Sequence, residues 1–308
     1  MHRIGFLQGV QWKPKREGQM TDPGLTSAAT ALASIEGIYR DGIVALKGAL
    51  PARWADEMLA DFEALYAEAE TLDLAAGDGQ GRGRVPRGPG KDARRYYLAV
   101  HPQRLRGFRD LVTHPVVDAV CRGVLGEDYQ YVEVGFDVAL PGAVRQPLHR
   151  DFPTPEETKI TGRLSSLAIN ATCVDVTPEM GPLEIAPGTH FDDSADLEEG
   201  MCVPSALQGR YADRLERRMP KRGDVSIRTG LTVHRGTENS SPHPRPMMIM
   251  GVMGAEYETF ADHELTMTPD YYESLPDEVK AHLARCTLSD ELHPIVQDYA
   301  LDFLLVEG

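Results

Sequence analysis

Long apolar runs are the first thing this chain lacks. No stretch approaches the roughly 20 apolar residues that a membrane-spanning helix needs. Near the start, Ile4-Gly5-Phe6-Leu7 is too short for the hydrophobic part of a secretory leader. Cysteine is scarce. Cys121, Cys173, Cys202 and Cys286 are scattered, with no Cys-x-x-Cys spacing, which argues for reduced, buried thiols over a disulfide framework. Positive charge is in deficit too: 32 Lys and Arg against 47 Asp and Glu leave a net charge of −15. Such a surface repels the phosphates of nucleic acid and an anionic membrane alike. Internal repeats and low-complexity segments are absent as well. The expectation is a cytoplasmic protein, monomer or homodimer, with a small molecule rather than nucleic acid or membrane as its partner.

The composition that is present, 42% hydrophobic and 26% charged, is that of an ordinary globular chain. Residues 1–24 lack periodicity and contain Pro14 and Pro23, predicting a flexible arm. Leu25 to Tyr39 reads as a helix stopped by Asp41-Gly42, followed by a strand over Ile43 to Leu46. A second helix opens at Pro51, a good first-turn residue. Trp54, Met58, Phe62, Leu65 and Leu72 recur along it at helical spacing, which marks them as core. Helices are also predicted over Gln103 to Val112 and Pro115 to Leu125.

Strands dominate thereafter. Residues 131–140 alternate, with Val132, Val134, Phe136 and Val138 on one face and Tyr131, Glu133, Gly135 and Asp137 on the other. Residues 164–176 form the longest strand-like run, long enough to be central. Its Asn170 and Thr172 then need partners, from the cosubstrate site, from each other or from the backbone. Residues 182–187, 224–228, 231–234 and 246–254 read as further strands, the last with Met247, Met248, Met250 and Met253 as core. Many short strands behind leading helices predict a mainly β fold, a double-stranded β-helix of the jelly-roll, cupin-like kind, with flanking helices. One domain should span residues 25–254. Residues 255–308 are expected to be a C-terminal helical extension packed on it, with a helix over Pro276 to Cys286 and an apolar tail at 299–306.

The chemistry is expected from Gln146-Pro147-Leu148-His149-Arg150-Asp151. In an extended stretch, positions i and i+2 point the same way, so His149 and Asp151 can grip one ion while Arg150 faces away. His234, far along the chain, would complete a 2-His-1-carboxylate facial triad. That set leaves iron positions open for a cosubstrate and O2. A second pair with the same spacing, His190 and Asp192, is a competing candidate.

The neighbouring motifs occur in a telling order: Tyr39-Arg40-Asp41-Gly42-Ile43-Val44-Ala45-Leu46-Lys47-Gly48, then Pro141-Gly142 shortly before His149. Gly181-Pro182-Leu183-Glu184-Ile185-Ala186-Pro187-Gly188-Thr189-His190 follows, then Arg222-Gly223-Asp224-Val225, then His234, with Arg245 eleven residues further on. From Ile38 to Gly254 this series resembles the phytanoyl-CoA dioxygenase family of Fe(II)/2-oxoglutarate oxygenases. The resemblance implies Fe(II) held by His149, Asp151 and His234, and 2-oxoglutarate bound with its far carboxylate on Arg245. It implies O2 as oxidant, release of succinate and CO2, and hydroxylation or desaturation of an unactivated C–H bond, in secondary or specialised metabolism. Asp151 favours those outcomes, since family halogenases carry a small residue there. His190 falls at the end of the signature turn, where the resemblance implies a structural or supporting role.

Two departures bear on the substrate. Glu133 and Asp137 stand where Gln or Asn is frequent, which either selects a cationic or hydroxyl-rich substrate or marks a solvent-facing strand. Gly236 stands where a small hydroxyl residue is frequent. Between Gly77 and Arg95, a Gly-rich loop carries Arg82, Arg84, Arg87, Lys91, Arg94 and Arg95, and reads as a solvated surface or as a mobile lid for an anionic substrate. Two other classes compete with the oxygenase: a metal-bearing jelly roll with chemistry independent of 2-oxoglutarate, and a silent binding module. Arg245 speaks against the first and the intact triad against the second.

Overall fold

The computed structural model describes residues 23–76, 83–87, 94–193, 195, 197, 200–257 and 265–295. The predicted arm, up to residue 22, and the apolar tail at 299–306 lie outside them. Helix α1 (Pro23–Asp41) ends at Gly42, whose φ of +77° suits only a residue without a side chain, and turns at once into strand β1 (Ile43–Leu46). Helix α2 (Ala52–Ala76) buries Trp54, Met58, Phe62 and Leu65, the stripe its spacing predicts. The predicted helix at 103–112 is broken into a short turn at Pro102–Arg104 and α3 (Phe108–Val112). Leu105 takes extended backbone, and Gly107 lies under Trp54, where a Cβ would sit 2.1 Å from the indole nitrogen. Helix α4 (Pro115–Leu125) keeps its predicted bounds.

The remaining elements are β2 (Val85–Pro86), β3 (Arg95–Ala99), β4 (Gln130–Ala139), α5 (Glu156–Thr161), β5 (Ser166–Thr172) and β6 (Leu183–Ile185). They continue with α6 (Gly209–Ala212), β7 (Glu216–Arg218), β8 (Val225–Arg228), β9 (His234–Gly236) and β10 (Arg245–Met253). The C-terminal part adds β11 (Thr266–Met267), α7 (Pro269–Ser274), α8 (Asp277–Lys280) and β12 (Thr287–Leu288). An antiparallel seven-stranded sheet runs β1-β8-β5-β10-β4-β3-β2, and a three-stranded sheet runs β7-β6-β9. Isolated bridges from His149 to His234 and to Cys202 widen the smaller sheet. Mostly antiparallel β structure with flanking helices is the jelly-roll architecture expected.

One face of the large sheet packs against the helices. Phe136, Ile169, Ile227, Met248 and Met250 join residues of α1, α2 and α4 in a single core, and the rings of Phe62 and Phe136 meet at 5.3 Å. Each such side chain contributes about 1.5–3 kcal/mol through burial. Its other face carries Arg95, Asp137, Arg245, Met247, Asn170, Thr172 and Arg228, which the strand register aligns. That face holds the site.

Two expectations about facing are corrected. The register shifts between Gly251 and Val252, so the alternation of β4 reverses at its start. Tyr131 therefore belongs to the core, with its hydroxyl 3.2 Å from that of Tyr129, while Val132 is only half-buried. Met247 is buried as expected but on the opposite face from Met248 and Met250, and the Thr172 hydroxyl donates to its sulfur at 3.6 Å.

The helix predicted at 276–286 contracts to α8, preceded by α7, which starts at Pro269 with Thr268 as its cap. Leu265, Met267, Val279 and Leu283 join the main core, and the His282 ring stacks on Tyr129 at 3.7 Å. All four cysteines are free thiols. Among the described residues no helix is long and apolar enough to cross a membrane.

Candidate metal centre

His149 and His234 are brought together by the backbone itself. Each donates its N–H to the other's carbonyl at 2.9 Å, which places the rings 4.5 Å apart. The same local contact orients both rings. Nδ1 of His149 bonds the Pro147 carbonyl at 2.9 Å, and Nδ1 of His234 bonds that of Thr232 at 2.8 Å. A carbonyl only accepts, so both Nδ1 atoms carry the proton and both Nε2 atoms present a lone pair.

Asp151 enters from the same strand-like stretch, its N–H donating to the Gly230 carbonyl at 2.8 Å. Gly230 has no room for a side chain: a Cβ would lie 2.5 Å from the Phe152 ring and 2.8 Å from Asp151 Oδ2. Asp151 Oδ1 lies 3.2 Å from His234 Nε2, and one ligand atom from each of His149, Asp151 and His234 falls within 4.8 Å of the others. Among the described residues no other group of this kind forms.

The second oxygen of Asp151 accepts from Arg228 Nη1 at 2.6 Å. Burial opposes ionisation of this carboxyl, but Arg228, and after it His234, outweigh burial and hold it well below the usual carboxylate range. Burial, helped by neighbouring His234, pushes His149 down to about 3. At neutral pH His149 is therefore neutral and Asp151 ionised, the states in which they ligate a metal. Arg228 also leaves one carboxylate oxygen neutralised and the other directed at the imidazoles.

Further along the same sheet face two buried arginines share one carboxylate. Arg245, 3% exposed, donates from Nη2 to Asp137 Oδ2 at 2.7 Å. Fully buried Arg95 reaches the same oxygen from Nη1 at 3.4 Å and the Thr237 carbonyl from Nη2 at 2.7 Å. The Nε atoms of both arginines are buried without a partner. Desolvation pulls Arg95 down to about 10, Asp137 opposes that, and Arg245 adds to it.

The other predicted residues separate clearly. Asn170 sits in register with Ser226 and Ile249 on the site face, and Thr172 is engaged with Met247. His190 Nε2 instead bonds the Tyr39 carbonyl at 3.2 Å, and Asp192 pairs with Arg214 at 3.0 Å. Asp137, its side chain 26% exposed, is engaged by Arg95 and Arg245. Glu133 lies on the same face, and burial first and its carboxylate second push the Tyr97 hydroxyl up.

Of the loop cations, Arg82 and Lys91 lie outside the described residues. Arg84 stacks over Tyr66 and Tyr96, Arg87 over Tyr97, and Arg94 donates to the Pro141 carbonyl at 2.6 Å. Arg95 turns onto the sheet face of Asp137 and Arg245. Sequence reasoning missed this placement of Arg95 and the contact of Arg228 with Asp151. The signal was alternation: Val225 and Ile227 point to the core, so Arg228 points to the site.

The chain matches the model of the phytanoyl-CoA dioxygenase family over residues 38–247. Among solved structures it is similar to the non-haem α-ketoglutarate-dependent epimerase SnoN from nogalamycin biosynthesis, at 22% identity and TM-score 0.57, over 74% of this chain and 82% of that one. The carbocyclase SnoK of the same biosynthesis aligns at 21% identity and TM-score 0.56, over 72% and 83% of the two chains. AviO1 from Streptomyces viridochromogenes Tue57 aligns at 18% identity and TM-score 0.54, over 74% and 97%. At these identities the alignments speak for the fold, while the family match spans more than half of the chain. Together with the His149, Asp151 and His234 cluster, it establishes that this chain belongs to the phytanoyl-CoA dioxygenase family of iron- and 2-oxoglutarate-dependent enzymes.

Proposed function

We propose that the protein is an Fe(II)/2-oxoglutarate-dependent dioxygenase that hydroxylates, or desaturates, an unactivated C–H bond of a small molecule in specialised metabolism. One observation carries this reading: two imidazoles and a carboxylate converge with their ligating atoms within 4.8 Å, and the carboxylate is held by Arg228 of the large sheet, whose same face carries Arg245. The donor set fits the metal. Two nitrogen ligands and one carboxylate suit non-haem Fe(II), and a single face of ligands leaves room for a chelating cosubstrate.

His149, Asp151 and His234 would hold the ion, and Arg245 would receive the distal carboxylate of 2-oxoglutarate, a task for which its planar, permanently charged fork is suited. With 2-oxoglutarate and O2, the iron supplies the power to oxidise a C–H bond, succinate and CO2 being the by-products. The chain's own part is positional. The Pro147 and Thr232 carbonyls fix the two rings, Arg228 fixes Asp151, and Met247 and Ile249 give the sheet face of Arg245 an apolar surface. Asn170, midway along this face, would meet the cosubstrate. Asp151 fills the position a halide would need, which supports hydroxylation over halogenation.

Anaerobic loading with Fe(II), followed by 2-oxoglutarate and air, should give slow succinate formation even without substrate. That formation should vanish in Asp151→Ala. Absence of succinate from the loaded wild-type protein would remove the reading. Once a substrate is in hand, incorporation of labelled oxygen from O2 separates hydroxylation from desaturation.

A further inference from the structure

We propose that Arg228, besides holding Asp151, binds an anionic group of the substrate, in its simplest form a carboxylate, over a floor of small residues beside the metal ligands. The proposal rests on the 2-oxoglutarate reading above. The Arg228 side chain is only 9% exposed, and among the described residues Asp151 is its one hydrogen-bond partner, engaged through Nη1. Nε and Nη2 are left as donors. They remain reachable, whereas the unpartnered Nε atoms of Arg95, Arg150 and Arg245 are closed in. With a divalent ion in place, the charge of Asp151 is taken up by the metal, and Arg228 keeps its own charge for a further anion. A planar fork with donors to spare suits a carboxylate.

The strand register says where that anion would lie. Arg228 on β8 pairs with Ala168 of β5, Ala168 with Gly251 of β10, and Gly251 with Glu133 of β4. All four share the site face, and the two between the charged ends carry a methyl group and no side chain. Strand β10 is the middle one of the seven, yet its Ile249 and Gly251 are partly exposed, while Met248, Met250 and Val252 on the other face are fully buried. Solvent therefore reaches the centre of the sheet from the site side, along an open trough. A Cβ on Gly251 would lie 3.1 Å from Glu133 Oε2, so that carboxylate leans over the floor. It repels an anion and accepts from a hydroxyl or an amine. A substrate is thereby sorted end to end, with its anion on Arg228 and a donor group toward Glu133.

The test uses acetate, butanoate and 3-phenylpropanoate, each titrated beside its amide. The full chain is loaded with Mn(II), which suits the same oxygen and imidazole donors, and saturated with 2-oxoglutarate so that Arg245 is occupied. Mn(II) is paramagnetic and speeds the relaxation of probe protons held near it, and the Zn(II)-loaded chain is the diamagnetic blank. At least one carboxylate should bind the wild type about 10-fold or more tightly than its amide, the size of a charge-assisted hydrogen bond, with relaxation that depends on Mn(II). Arg228→Gln, kept saturated with metal and checked by metal content, should bring that pair to within about twofold, since the remaining contacts are uncharged.

Ala168→Leu guards against damage to the metal site. It leaves the contact between Arg228 and Asp151 in place and fills the floor, so it should weaken carboxylate and amide alike. A carboxylate preference that survives in Arg228→Gln, or binding in Ala168→Leu equal to that of the wild type, would leave Arg228 as a support for Asp151 alone, and the proposal fails. A wild type without any carboxylate preference sinks it equally. If the wild type takes up the metal but no 2-oxoglutarate, the cosubstrate reading fails instead.

Discussion

His-x-Asp occurs twice in this chain, and the two copies have contrasting surroundings. At His149 and Asp151, the backbone takes up Nδ1 of the imidazole and Arg228 takes up one carboxylate oxygen, which leaves Nε2 and the other oxygen converging with His234. At His190 and Asp192, Nε2 is instead directed to the Tyr39 carbonyl, and the carboxylate turns outward to Arg214. The two regions are even tied together. Arg150, which lies between the first pair and faces away from the site, donates to the carbonyls of Thr189 at 2.7 Å and Asp192 at 2.9 Å. Spacing alone therefore does not make a ligand set. What makes one is the direction in which lone pairs are left after local hydrogen bonds are made.

The strongest way to break this comparison is to remove a ligand from each copy. Asp151→Asn should lower Fe(II) affinity by more than about 100-fold, beyond the range typical of a supporting residue. His190→Gln should leave that affinity unchanged. Anaerobic equilibrium dialysis reads both, and metal loss in His190→Gln would reverse the assignment. Arg228→Met comes next. It keeps the bulk of the side chain but removes the charge that holds Asp151 ionised, and it should cost about 10- to 100-fold in metal affinity.

How much of this was legible in the sequence follows from the same physics. The convergence of His149, Asp151 and His234 was readable because their types and order are diagnostic, and α1, α2 and α4 followed from periodicity, whereas the helices expected at 103–112 and 276–286 came out shorter. Arg95 was hidden because loop composition grouped it with neighbouring surface cations, whereas β3 turns it inward and Gly236 gives it space. The bulge opposite Gly251 was equally hidden, since a single extra residue reverses facing without changing composition. Both depend on contacts between distant strands, which no local pattern encodes.

A third prediction sharpens the comparison through pH. His149 is held neutral, with its pKa far below the unfolded value near 6.5. Below pH 6.5 the unfolded chain binds a proton that the folded chain does not, so stability falls as pH falls. The loss continues until His149 itself protonates near 3. Between pH 6.5 and 5.5 this group alone should cost the metal-free protein about 1 kcal/mol. Urea midpoints across that interval measure it. His149→Gln should flatten the dependence, and an unchanged slope would mean that the acid sensitivity originates elsewhere.

The smallest effect is expected at Asp192, the carboxylate of the second copy. Its ion pair with Arg214 is half in solvent, with the two side chains 25% and 40% exposed, so water already screens it. Arg214 keeps a second anchor, donating to the Pro187 carbonyl at 3.0 Å. Arg150 uses the Asp192 backbone carbonyl rather than its carboxylate, so the link between the two regions survives a side-chain change. Asp192→Asn should therefore lower stability by no more than about 1 kcal/mol, the usual limit for an exposed pair, with metal affinity unaltered. Denaturant unfolding and metal titration on the same sample check both halves. A larger loss of stability would mean that the second copy braces the first through Arg150, and the two pairs would have to be treated as one unit.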